Sequence, residues 1–161
     1  MGYREWPQGD AIALLADEPP LAVLAKPTDP WPSRCDTDSW PTGYRFLGYD
    51  LEAQGRPVFR YQVGKATVSD RPEPLDGGLR RHLRIEGAER GLTFRAAAGK
   101  SLVADKPGTW ILENHLAITV TPPPGVALRT RTVKGSSEIL LDLPAAAVTT
   151  CTVTYRWKDT P

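Results

Sequence analysis

The stretch from Gly43 to Val68, GYRFLGYDLEAQGRPVFRYQVGKATV, leaves a chain like this little freedom in how it folds. Tyr44 and Phe46 lead one apolar-aromatic run, and Phe59, Tyr61 and Val63 take alternate positions on the next. A two-residue period marks a strand with one buried face, so the segment reads as a β-hairpin. Its loop, Glu52 to Pro57, is rich in turn formers: Gly55 can take positive φ, and Pro57 lacks the N–H that would continue a ladder.

The pattern repeats downstream. Thr67 to Arg71 completes a pairing across the Gly64-Lys65 turn, and Pro72 to Gly78, with two prolines and two glycines, reads as a loop. Leu79, Arg81, Leu83 and Ile85 then alternate with Arg80, His82, Arg84 and Glu86, and a turn at Ala88 to Gly91 leads into Leu92 to Arg95. Arg81 is the misfit on the apolar side; it is expected near a sheet edge, with its stem packed and its head in water. Short strands follow at Ser101 to Ala104, Thr109 to Glu113, Leu116 to Val120, Val126 to Val133, Glu138 to Leu143 and Val148 to Trp157, separated by Pro- and Gly-rich turns. About ten to twelve strands and no helix are expected, in an all-β antiparallel β-sandwich, although periodicity separates a sandwich poorly from a barrel.

Sixteen prolines and 14 glycines fit such a fold, and 161 residues suffice for one core that removes roughly 70% of the unfolded chain's surface from water. Residues 1–41 form a Pro/Trp-rich N-terminal arm expected to pack on the domain, and 42–158 the sandwich itself. Within the arm, Ala11 to Ala16 and Leu21 to Ala25 are short apolar runs, each a strand or a helical turn at a length where periodicity does not decide; the neighbouring prolines favour edge strands. Trp6, Trp31 and Trp40 sit beside prolines. They are either plugs that tack the arm down or, at Trp31 and Trp40, an exposed platform for a sugar ring or a partner. Cys35 and Cys151 are too few for a disulfide framework and too far apart for a metal motif; they are read as two buried thiols, with a single long-range bridge as the alternative.

The net charge of +1 gives no global field to draw in nucleic acid, and no apolar span is long enough to cross a bilayer. The start, Met-Gly-Tyr-Arg-Glu-Trp, does not read as a signal peptide, so a soluble, cytoplasmic chain is expected unless it is a piece of something larger. His82 and His115 lack the spacing of a metal site, there is no nucleophile elbow and no phosphate loop, and no cofactor is expected. His115 reads as a turn histidine bonded to backbone, with a general-base role as the alternative. Arg80, His82 and Arg84, with Arg95, Arg129 and Arg131, would form a basic patch if their strands were neighbours, suited to an acidic partner or anionic glycan. The plainer alternative is pairing with Glu86, Glu113, Glu138 or Asp142. These strands lack the interleaved aromatics of a single-strand binder, so nucleic acid is not an expected partner.

Trp6-Pro7-Gln8-Gly9, Ala11 to Leu15, Pro30-Trp31-Pro32, Tyr44 to Tyr49 and Gly55 to Tyr61 together resemble β-rich, non-haem segments of the large secreted haem-binding proteins of planctomycete type. In those proteins, sugar-dehydrogenase-like propellers and c-type cytochrome domains flank such segments. The resemblance implies a periplasmic or extracellular supporting domain whose partner is a neighbouring catalytic or cytochrome domain. The family's Cys-x-x-Cys-His attachment site is missing, so no haem-ligating residue carries over. The expectation is thus a non-catalytic structural or docking module. A carbohydrate-binding module is the first alternative; a carbohydrate-active enzyme, needing two facing carboxylates such as Glu86 and Glu113, is the second.

Overall fold

A computed structural model describes residues 19–32 and 43–158. Twelve strands form two antiparallel sheets that do not close into a barrel, which settles the architecture as an all-β sandwich. In chain order they are β1 (Leu21–Ala22), β2 (Tyr44–Leu51), β3 (Pro57–Val63), β4 (Ala66–Leu75), β5 (Gly78–Ala88), β6 (Leu92–Gly99), β7 (Leu102–Lys106), β8 (Thr109–Leu112), β9 (Leu116–Thr121), β10 (Ala127–Val133), β11 (Ser136–Leu143) and β12 (Ala146–Trp157). The small sheet runs β1-β6-β11-β10 and the large one β2-β3-β4-β5-β12-β9-β8-β7. A single 3-10 turn at Ala53–Gly55 is the helical structure among the described residues.

The hairpin β2–β3 forms as expected, but it lies at the margin of the large sheet. The centre belongs to β5 and β12, because the last strand inserts between β5 and β9 and ties both halves of the chain together. That insertion needs Gly78: a Cβ there would lie 2.2 Å from the Tyr155 carbonyl oxygen, so any other residue would push the two strands apart.

Pro72 to Gly78 is not the expected loop. β4 runs on to Leu75 and pairs with β5 through Pro72 and Pro74, with the turn confined to Asp76 and Gly77. The prolines are tolerated because β3 pairs with β4 only as far as Asp70. Two residues apart, both prolines point their missing donors the same way, toward the side where no strand needs them.

Between the sheets, Val68, Leu83, Ile85, Ile118, Val153 and Tyr155 of the large sheet meet Phe94, Ile139 and Leu141 of the small one. β6 is buried on both faces, since residues 19–32 cross the outside of the small sheet. Its inward Phe94 enters the main core; its outward Arg95 lies under Trp31, in a second small cluster with Ala22 and Leu140. The Leu21 run is an edge strand as expected, shortened to two residues paired with Phe94 and Thr93.

Candidate binding surfaces

The arginines expected as one patch are divided between the sheets. Arg80, His82 and Arg84 lie on the outer face of β5, whereas Arg95, Arg129 and Arg131 belong to the small sheet. The second group is consumed internally. Arg129 Nε donates to Asp142 Oδ2 at 2.6 Å, Arg131 Nε to Glu138 Oε2 at 2.6 Å, and Arg95 Nη1 to Glu138 Oε1 at 2.9 Å. Arg131 Nη1 also donates to the carbonyls of Pro27 and Asp29, at 2.6 and 2.8 Å, and so clamps the arm. Burial lowers the Arg95 pKa, and the Glu138 hydrogen bond opposes that shift.

Trp31 is the plug and not the platform. It is 8% exposed, its ring stacks over the Arg95 guanidinium at 4.6 Å, and its Nε1 donates to the Pro19 carbonyl at 2.8 Å. An indole held this way has no face left for a sugar ring. Trp6, Trp40, Cys35 and the Ala11 to Ala16 run lie outside the described residues.

Arg81 departs from its expected place near water. It lies largely buried between the sheets, bonded through Nη2 to Asp70 Oδ2 and through Nε to Oδ1 at 3.2 Å, with its guanidinium 5.6 Å from the Phe94 ring centre. Burial disfavours the cation, but Asp70 outweighs it and holds the Arg81 pKa above the ordinary arginine value. Around this pair stand Tyr61, Tyr155 and Cys151. Burial raises all three pKa values, the Cys151 thiol's to about 12, and Tyr155 donates to the Ala96 carbonyl at 2.6 Å. Cys151 is a free buried thiol, and Cys35, its partner in the alternative long-range bridge, lies outside the described residues.

The register sets the carboxylates Glu86 and Glu113 far apart. Glu86 stands opposite Val148 near one end of β12, and Leu116, which closes the Glu113 turn, stands opposite Trp157 at the other. At about 3.3 Å per residue the separation is on the order of 30 Å, far beyond a pair of carboxylates acting on one bond. Glu113 instead accepts from the backbone N–H of Lys100 and Ser101, at 2.5 and 3.3 Å. His115 Nδ1 lies 2.7 Å from the Glu113 carbonyl, the turn histidine that was expected.

Two surfaces among the described residues bear on binding. One is the outer face of the large sheet, where a groove of about 490 Å³ runs across β3, β4, β5 and β12 past Arg60, Arg71, His82 and Arg84. His82 Nε2 meets Glu73 Oε2 at 3.0 Å, and that hydrogen bond lowers the Glu73 pKa. The other is the overhanging end of β2–β3. Register places Phe46 opposite Tyr61, Tyr49 opposite Phe59 and Leu51 opposite Pro57, so all three share the face that elsewhere forms the core. The small sheet does not reach them, and they are 52%, 60% and 65% exposed. Tyr49 and Phe59 pack ring against ring at 6.2 Å.

Sequence reasoning missed Arg60 and Arg71 in the groove and Asp70 in the core. Asp70 carried a signal: with Ala66 and Val68 it occupies the apolar phase of its strand, as Arg81 does on the next, and opposite charges in core phase on adjacent strands predict a buried pair.

Neither a scan against protein-family models nor a search of curated proteins finds a match for this chain.

Proposed function

We propose that this chain is a non-catalytic docking module that binds a neighbouring folded domain through the β2–β3 overhang. The observation that carries the reading is the contiguous apolar surface of Phe46, Tyr49, Leu51 and Phe59, all exposed on a face built for burial. Aromatic anchors are the composition of interface cores, and here Tyr49 and Phe59 pack ring against ring at 6.2 Å within the apolar surface. Docking proceeds by side chains and not by strand addition, since the β-bulge between Phe46 and Gly48 interrupts the outer edge of β2. The resemblance in the N-terminal half suggests the partner class: a c-type cytochrome or sugar-dehydrogenase-like domain of a secreted electron-transfer protein.

Sedimentation of the purified chain with such domains from the same genome tests this. A complex weakened at least tenfold by Tyr49→Ser with Leu51→Ser is the expected result. A folded chain that binds neither domain, or binds equally well with both substitutions, overturns it.

A further inference from the structure

The groove on the other side of the large sheet has a different character. Its walls are Arg60 and Val58 from β3, Ser69 and Arg71 from β4, His82 and Arg84 from β5, and Thr150 and Thr152 from β12, with Glu52 at one end. Register sets these in two rows across the strands. Arg60, Ser69, Arg84 and Thr150 form one row; Arg71, His82 and Thr152 form the next. Neighbouring strands lie about 4.8 Å apart, so Ser69 has an arginine on either side and a third one step along its own strand.

Each arginine is held by a carboxylate in a way that leaves donors available. Arg60 is engaged through Nε by Asp50 at 2.5 Å, Arg71 through Nε by Glu52 at 2.8 Å, and Arg84 through Nη2 by Glu86 at 2.9 Å. The Nη1/Nη2 edges of Arg60 and Arg71 have no partner among the described residues, and that edge is the fork that grips an oxyanion with two parallel hydrogen bonds. At Arg60 and Arg71 the carboxylates fix the side chains without occupying the Nη1/Nη2 edge, which lowers the ordering cost of binding, while Arg84 keeps Nε and Nη1 beside its Glu86 contact.

We propose that this groove binds an acidic saccharide, its anionic group seated over Ser69 between Arg60 and Arg84 and in reach of Arg71. The hydroxyls of Ser69, Thr150 and Thr152, with His82, offer mixed donors and acceptors to ring hydroxyls along the groove. No aromatic side chain lines it, so a neutral ring finds no stacking surface and a single-stranded nucleic acid no platform. The volume suits a short oligosaccharide.

Titration calorimetry of the whole chain with trigalacturonate, a neutral galactose trimer, acetate and inorganic sulfate tests the assignment. Expected is saturable binding of the uronate trimer at least tenfold tighter than the neutral trimer or either simple anion. Arg71→Gln and Arg84→Gln, both exposed and compatible with an unchanged Tm, should each weaken it at least tenfold. Equal binding of the neutral trimer, binding no tighter than acetate or sulfate, no binding at millimolar ligand, or wild-type affinity in both variants overturns the proposal. Because the groove and the overhang lie on opposite faces, Tyr49→Ser with Leu51→Ser leaves uronate binding intact.

Discussion

Asp70–Arg81 and Arg95–Glu138–Arg131 are both buried ion clusters, yet one lies between the sheets and the other on the outside of the small sheet beneath the arm. In the first, one acid meets one base on adjacent strands, and the surroundings are Tyr61, Tyr155, Cys151 and Phe94. In the second, one acid serves two bases; Trp31 and the arm carbonyls of Pro27 and Asp29 supply the rest. The inner pair has fewer alternatives: beside Asp70, Arg81 has the Tyr155 side chain, and the two ions keep only 13% and 9% of their side-chain surface exposed. The outer triad spreads its charge over a cation–π contact and two carbonyls, so its loss is partly compensated. A buried charge is thus costly in proportion to how few alternatives its surroundings provide.

Three measurements test that contrast. Asp70→Ala strands Arg81 in the core and should cost about 3–5 kcal/mol, read as a lower urea midpoint. A loss below 1 kcal/mol would mean that Arg81 escapes to water. Glu138→Gln should cost less, about 2–3 kcal/mol, because Arg131 keeps the Pro27 and Asp29 carbonyls and Arg95 keeps Trp31. Limited proteolysis should then cut first within residues 19–32; a loss as large as that of Asp70→Ala, without early cleavage there, would make the arm part of the main cooperative unit.

The smallest effect is alkaline. Burial holds the Cys151 thiol neutral up to about 12, against an ordinary value of 9.0, so the unfolded chain loses this proton first. The contribution is fully present below pH 9 and is lost as pH rises toward 12, amounting to about 1–2 kcal/mol at pH 10. Tyr61 and Tyr155, raised by burial in the same way, add to the loss only above their ordinary value of 10.0. Urea midpoints between pH 8 and pH 10 should fall in the native chain and stay nearly level in Cys151→Ala; a level curve for both would place the thiol in contact with solvent.

Much of this was legible beforehand where a strand announces itself by alternation. β5 and β12 run within a few residues of their expected limits, because Leu83 and Ile85, like Cys151, Val153 and Tyr155, sit in strict phase between polar neighbours. The continuation of β4 through Pro72 and Pro74 was not legible, since tolerance of proline depends on β3 stopping short of it. At Trp31 the plug was the leading reading and the platform its alternative, and local sequence could not decide between them for the same kind of reason: its environment is supplied by Arg95, far along the chain.

By itself, then, the sequence determined that the chain makes short antiparallel strands, and which phase of each strand is apolar, because φ and ψ preferences and side-chain alternation are local. Long-range packing set which strands are neighbours, how eight strands face four and leave Phe46, Tyr49 and Leu51 uncovered, and why Arg60, Arg71 and Arg84 share the outer face of the large sheet while three other arginines are buried or half-buried on the small sheet. Those outcomes turn on pairings between residues distant in the chain, whose free energies depend on geometry that no local pattern contains.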